Sequence, residues 1–247
     1  MKIIPLSEGA FTIDSSKKFI PFNKGADDLQ QRPVGSLLVE IQPFCIVTNN
    51  DIILIDAGLG FSTKEGHLQI HQNLMDNGIN PMDVTKVLMS HLHKDHSGGV
   101  SKEDAILNHK FISFPNATYY VNKDEFEFAM AKGKPSYTPN EFEILGNAGN
   151  VIFTQGDGNI DGYIKYHVTG AHCPFHQVFW IEEEGQKIFF GGDVAPQLQQ
   201  MKSRFVAKYD FDGKKCMELR QQWRQQGQEE HWTFLFYHDI KTPVFSF

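Results

Sequence analysis

The chain is short of several things. Only three of its 247 residues are cysteine, and Cys45, Cys173 and Cys216 are odd in number and widely spaced. That argues against a disulfide framework and reads as free thiols in a reducing compartment. There is no run of lysine or arginine, and the formal net charge is −7. Nucleic acid and anionic membrane surfaces need a basic footprint, so neither is expected as a partner. No apolar run reaches the roughly 18 residues that suggest a membrane-spanning helix. The opening Met1-Lys2-Ile3-Ile4-Pro5-Leu6-Ser7-Glu8 lacks the apolar core of a signal peptide. The expectation is a cytoplasmic enzyme acting on a small molecule, with its oligomeric state open and a dimer allowed. What is plentiful is phenylalanine, 21 residues in a composition otherwise ordinary for a globular protein. An aromatic-rich core or an apolar pocket follows.

Patterning predicts strands followed by a helix in each half. A strand and turn are expected over Ile3–Ile13, and strands at Ser36–Thr48, Ile52–Ile55, Lys86–Ser90 and Ala117–Val121, and, past Gly/Asn-rich turns, at Val151–Thr154, Tyr163–Val168, Val178–Glu182, Lys187–Phe190 and Trp232–Tyr237. Helices are expected near 67–77, 123–132 and 213–227. Residues 14–35 and 133–149 read as loops, the first long enough to be of functional interest. His67 and His71 share a spacing of four, but no third ligand lies near, and a solvated helix face is the simpler reading. The whole is expected to be one α/β domain spanning 1–247, with two β-rich halves, roughly 1–115 and 116–247, and a helix layer outside each of two sheets.

One stretch does not look like packing: His91-Leu92-His93-Lys94-Asp95-His96, followed by Ser97-Gly98-Gly99. Imidazole and carboxylate are the usual ligands of zinc and similar divalent ions. In an extended segment His91 and His93 point the same way and reach one ion; Asp95 and His96, after a turn, reach a second. Further donors fall at later strand ends: His172 in Gly170-Ala171-His172-Cys173-Pro174, Asp193 in Gly191-Gly192-Asp193, and His238 in Phe236-Tyr237-His238-Asp239. Asp56 ends the apolar strand Ile52–Ile55, and a buried carboxylate there needs partners. A metal-bound histidine is one such partner. His176 is a candidate for a similar supporting role.

The order His91-x-His93-x-Asp95-His96, then His172, Asp193 and His238, strongly resembles the metallo-β-lactamase superfamily, over nearly the whole chain from Ile52 to His238. The resemblance implies a four-layer αββα sandwich with the site at one edge. It implies two divalent metal ions, with zinc the first expectation and iron or manganese the others. His91, His93 and His172 would hold the first ion and Asp95, His96 and His238 the second, with Asp193 bridging. Within the superfamily, Gly192-Asp193-Val194-Ala195-Pro196, Tyr209-Asp210, Arg220 and Phe236-Tyr237-His238-Asp239 are most similar to the branch of N-acyl-homoserine lactonases and methyl parathion hydrolases. True β-lactamases usually lack the bridging Asp. Glyoxalase II enzymes carry a helical substrate domain that the nine residues after His238 are not expected to supply. One departure stands out: homoserine lactonases have a Tyr three residues after the bridging Asp, and here that residue is Pro196.

The expected activity is hydrolysis of a small ester, lactone or phosphotriester, with Asp95 or Asp193 passing a proton to the leaving group. Phe22, Phe175, Phe205 and Tyr209 are candidates for the substrate wall, and Tyr209 or Tyr237 for the role of the missing lactonase Tyr. The alternatives are a single-iron oxidoreductase like the superfamily's sulfur dioxygenases, and a non-catalytic binding protein on the same fold.

Overall fold

The structure, a computed structural model, describes residues 1–104 and 109–247. In chain order its strands begin with β1 (Lys2–Pro5), β2 (Gly9–Ile13), β3 (Phe19–Pro21), β4 (Leu37–Ile41), β5 (Phe44–Val47) and β6 (Ile52–Ile55). They continue with β7 (Lys86–Leu88), β8 (Ser101–Asp104), β9 (His109–Ile112), β10 (Thr118–Asn122) and β11 (Val151–Thr154). The last six are β12 (Gly158–Ile160), β13 (Ile164–Val168), β14 (Gln177–Glu183), β15 (Gln186–Phe190), β16 (Thr233–Leu235) and β17 (Val244–Ser246). The helices are α1 (Gln69–Asp76), α2 (Lys94–Ser97), α3 (Lys123–Lys132), α4 (Pro139–Phe142), α5 (Leu198–Met201) and α6 (Gly213–Glu229).

Two six-stranded sheets form the frame, in the orders β1-β5-β6-β7-β10-β11 and β12-β13-β14-β15-β16-β17. Alternation along each strand explains how they stack. Phe44, Ile46, Ile53, Ile55, Leu88 and Tyr120 of the first sheet share one buried cluster with Ile164, Phe179, Ile181, Ile188, Phe190 and Leu235 of the second. Their neighbours turn the other way. Cys45, Leu54, Val87, Tyr119 and Val121 pack with Ile70 and Leu74 of α1, Ala129 of α3 and Phe142 of α4. Val178, Phe189 and Phe234 pack with Leu198 and Met201 of α5 and with Cys216 and Trp223 of α6. Both faces of each sheet are therefore buried, which is why the strands read as near-continuous apolar runs. The result is the expected αββα layering. In α6 the buried residues Cys216, Arg220, Trp223 and Gly227 recur every three or four positions. The Asp212 side chain caps its start by accepting the Lys215 N–H at 2.9 Å.

Several boundaries differ from the sequence reading. The run Ser36–Thr48 is two strands in different sheets, since β4 pairs with β2 and β5 pairs with β1 and β6. The segment 14–35 contains β3, which completes a small sheet β3-β2-β4. The large sheets part between Thr154 and Gly158, later than a division near residue 115, because β10 and β11 join the first sheet. His67 is exposed and lies before the start of α1, while His71 packs edge-on to Phe114 at 5.0 Å, so the two share no solvated helix face. Among the described residues no helix is long and apolar enough to cross a membrane.

Candidate metal centre

The strands β6 and β7 are parallel, as are β15 and β16. The loops after β7, β13, β15 and β16 carry the sequence-selected histidines and carboxylates to one edge of the sandwich. Ligand sites in open sheets of parallel strands favour such carboxyl ends. His91, His93, His172 and Asp193 come together with one donor atom each, all within 4.8 Å of one another, and Asp95, His96 and His238 do the same beside them. Asp193 links the groups. Its Oδ2 lies 3.3 Å from His172 Nε2, while its Oδ1 lies 3.1 Å from His238 Nε2 and 3.2 Å from His96 Nε2.

The outward nitrogens of these rings are held by acceptors. His96 Nδ1 lies 2.7 Å from Asp56 Oδ2, His172 Nδ1 2.7 Å from Asp210 Oδ1, and His238 Nδ1 2.8 Å from the Glu40 carbonyl. A ring nitrogen facing an acceptor carries the proton, so in each neutral ring Nε2 presents its lone pair inward. His93 Nδ1 sits 2.9 Å from His91 Nε2 and 3.1 Å from His172 Nε2. Three imidazole nitrogens converging this closely make poor company for one another and good company for a cation. His96 Nε2 and Asp193 Oδ1 are buried with no hydrogen-bond partner. Orphaned donors and acceptors of this kind at a point of convergence fit divalent metal ions.

The electrostatics agree. Burial, with the neighbouring histidines, holds His91 and His93 well below the usual imidazole range, so both are neutral lone-pair donors. Burial works the same way on His96 and His238, but Asp193 and Asp95 (with Asp56 for His96) outweigh it and favour a cation there. Asp193 is raised by burial and lowered further by His238, His96 and His172, which leaves it ionised.

Supporting residues fix the loops. Asp56, fully buried at a φ of 57°, accepts the Ser90 N–H and hydroxyl at 2.7 Å each in addition to His96, so one carboxylate anchors both ends of the first motif. His176 accepts the Asp193 N–H through Nε2 at 3.1 Å; it holds the backbone of Asp193 and leaves no lone pair for a metal. Gly192, at a φ of 48°, lies against that ring, and a Cβ there would meet His176 Nε2 at 2.5 Å. The pair Gly98-Gly99 answers a close approach as well: a Cβ on Gly98 would lie 2.3 Å from the Leu59 backbone and one on Gly99 2.1 Å from the Ala57 carbonyl oxygen. Glu125, which sequence reasoning missed, accepts the Leu92 N–H at 3.1 Å and the Cys173 thiol at 3.3 Å, joining two ligand-bearing loops from beneath. Asp210 was legible only as part of the branch resemblance, not as the partner of His172. Arg220 is fully buried and donates to the Val194 carbonyl at 2.7 Å, bracing the turn after Asp193.

The centre opens into a cavity of about 770 Å³. Among the four candidates for its wall, Tyr209 lines it and Phe22, Phe175 and Phe205 do not; the aromatic lining comes instead from Phe19, Phe128, Tyr137 and Phe211. Phe175 packs behind Phe128 at 6.0 Å. Pro196 lines the cavity. Tyr237 stacks on His96 at 3.9 Å and donates its hydroxyl to the Asp95 carbonyl at 2.6 Å, so it belongs to the support and faces no substrate.

The chain is similar to known proteins. N-acyl homoserine lactonase AttM from Agrobacterium fabrum is 29% identical over 117 residues, 44% of this chain and 40% of that protein. The protein of the same name from Rhizobium johnstonii is 35% identical over 102 residues, 41% of this chain and 30% of that protein. The aligned part thus spans well under half the length of these relatives. Among solved structures, one described as a probable metal-dependent hydrolase from Staphylococcus aureus superposes with a TM-score of 0.78 at 22% identity, covering 99% of this chain and 91% of that one. AidC, a dizinc quorum-quenching lactonase solved with N-hexanoyl-L-homoserine, gives 0.70 at 18% identity, covering 98% and 88%. These two share the fold. A sequence profile described as the metallo-beta-lactamase superfamily matches residues 39–238, a span that reaches from β4, where the Glu40 carbonyl holds His238, to His238 itself, and the chain belongs to that superfamily.

Proposed function

We propose that residues 1–247 act as one hydrolase domain with a binuclear metal centre, cleaving a small ester, lactone or phosphotriester. The observation that carries this reading is the placement of Asp193, with one carboxylate oxygen toward each group of histidines. His91, His93 and His172 would hold one ion, Asp95, His96 and His238 the other, and Asp193 both. A nitrogen-rich set with carboxylate oxygens suits zinc, and also iron or manganese. Two such cations, when bound, polarise a substrate oxygen and lower the pKa of a water from about 15.7 to near 7.

The chain's own groups do the rest. Both Asp193 oxygens face imidazoles, which keeps that carboxylate an anchor. Asp95 lines the cavity and is held less closely, its Oδ2 3.7 Å from His96 and 3.6 Å from His238 against 3.1–3.3 Å for the Asp193 oxygens. Asp95 is therefore the better placed to return a proton to the leaving oxygen. Tyr209 lines the cavity beside His172, and burial pushes its phenol up to about 12, so it stays a hydrogen-bond donor at neutral pH. With Pro196 unable to donate and Tyr237 engaged elsewhere, Tyr209 is the one of the two sequence candidates that can hold a substrate oxygen. The free, buried thiols suit a cytoplasmic setting. The lactonases named above motivate the lactone arm of the substrate class.

Metal analysis after mild purification should find about two divalent ions per chain. Hydrolysis across lactones, aryl esters, phosphotriesters and thioesters should vanish on chelation and return with zinc, manganese or iron. A chain without transition metal and without hydrolysis after metal addition would overturn the proposal.

A further inference from the structure

The charges around the cavity are not those of the chain as a whole. The protein carries a net charge of −7. Yet the carboxylates lining the cavity are Asp95, Asp193 and Asp210, and all three belong to the centre or hold one of its rings. The remaining charged lining is cationic: Lys17, Arg32, Lys94 and Lys132. Among the described residues, no carboxylate approaches any of these four within 4.0 Å, although ion pairs of that kind occur elsewhere, as between Lys86 and Asp161 at 3.0 Å.

Their contacts leave capacity for a ligand. Lys94 sits between two of the histidine-motif donors, half-buried, with its ammonium 5.6 Å from the Phe19 ring centre and one hydrogen bond to the Lys17 carbonyl. An ammonium has three donors, so two remain. Arg32 donates through Nε to the Leu29 carbonyl at 3.3 Å, while its Nη1 is buried without a partner. Ser36 Oγ, on the same segment and lining the same cavity, is buried without a partner as well. Buried polar groups are normally satisfied, so unpartnered ones at a cavity wall are free to meet a ligand's polar atoms. Glu141, whose field reaches Lys94, is pushed up to about 7 by burial and so cancels only part of that charge near neutrality.

From this shared cationic lining we infer that the substrate carries a free carboxylate remote from the bond that is broken, received by Lys94 together with Arg32 and Ser36, with Lys17 and Lys132 adding to the field. The chemical class is an ester or lactone of a dicarboxylic acid, or an equivalent with one carboxylate left free. This inference rests on the hydrolase reading above and adds a specificity to it. The apolar stretch of wall formed by Phe19, Leu38 and Phe128 suits the short hydrocarbon spacer between the two ends.

The test compares monophenyl glutarate with phenyl pentanoate on the metal-loaded chain. The two esters share chain length and leaving group and differ in a terminal carboxylate against a methyl. Charge-assisted hydrogen bonds predict a kcat/KM ratio favouring the glutarate by roughly tenfold or more. That ratio should shrink as salt is raised, because part of it is long-range field. Lys94→Met should collapse it. Arg32→Gln, on a loop that contributes no metal donor, should lower it through KM, so a folding or metal-loading defect in the Lys94 variant leaves the question decidable. Hydrolysis of the pentanoate with a ratio of one or less would overturn the carboxylate inference and leave the hydrolase standing. A ratio unmoved by either substitution would overturn it equally. Turnover of neither ester, nor of any other class of ester, lactone or phosphotriester, would defeat the hydrolase reading and the inference with it.

Discussion

At the scale of single residues, the clustered candidate donors were legible because their chemistry is carried by residue type. Three imidazoles and a carboxylate within six positions have few other uses, and His172, Asp193 and His238 could be added because each falls at a strand end. Asp56 was legible for the same reason. What could not be read is the support that acts at long range. Glu125 meets a backbone N–H 33 positions away, Asp210 meets His172 across 38 positions, and the carbonyl of Glu40 meets His238 across 198. No local pattern encodes such a pairing. The phenylalanines proposed for the wall failed to converge because an aromatic side chain fits the core as well as a pocket, so type alone does not place it. The importance of the outer partners is testable. Asp210→Ala removes the acceptor that fixes the tautomer of His172, and affinity for metal should fall by about 10- to 100-fold at one of the two sites. Competition against a chromophoric chelator would read this directly; unchanged affinity at both sites would take Asp210 out of the centre.

At the scale of elements, long apolar runs and the helices announced themselves, and α3 occupies the expected 123–132. The errors came where burial on both faces erases alternation. Ser36–Thr48 reads as one strand because β4 and β5 are both apolar, and the step at Gln42-Pro43 is the one local sign that the chain changes sheets. Short strands were missed for a different reason. β12 contains three residues, starts in a Gly-Asp-Gly turn, and exists because β13 offers it an edge. β15 shows how firmly the second sheet is held to its helices. Phe189 is fully buried, with ring centres at 4.8 Å from Trp223, 4.9 Å from Trp180 and 5.4 Å from Phe234. Phe189→Ala should cost about 3–5 kcal/mol. Urea unfolding would show it as a lowered midpoint with the slope preserved. Since the ring faces α6 and not the cavity, metal content of the folded fraction should be unchanged.

At the scale of the whole molecule, the centre is where the two sheets meet at one edge. The loop after β7 in the first sheet supplies His91, His93, Asp95 and His96; loops of the second supply His172, Asp193 and His238. Ions held by both would act as a clasp between the layers. A ligand that binds only the folded state stabilises it by about 4 kcal/mol at 1,000 times its dissociation constant. Chelation should therefore lower the melting temperature, zinc should restore it in a concentration-dependent way, and His93→Ala should blunt the response. A melting temperature indifferent to chelator and zinc would contradict the clasp. The hydrogen bond from His238 to the Glu40 carbonyl has a consequence for how the molecule is made. During synthesis the strand bearing Glu40 and the motif His91–His96 leave the ribosome early, long before the residue that closes the second cluster. Until β16 and the loop after it are made, the nascent chain displays an incomplete set of donors. The donor set is therefore complete only once His238 has emerged, and a chain clipped just short of His238 would keep six of the seven donors yet leave the second cluster open.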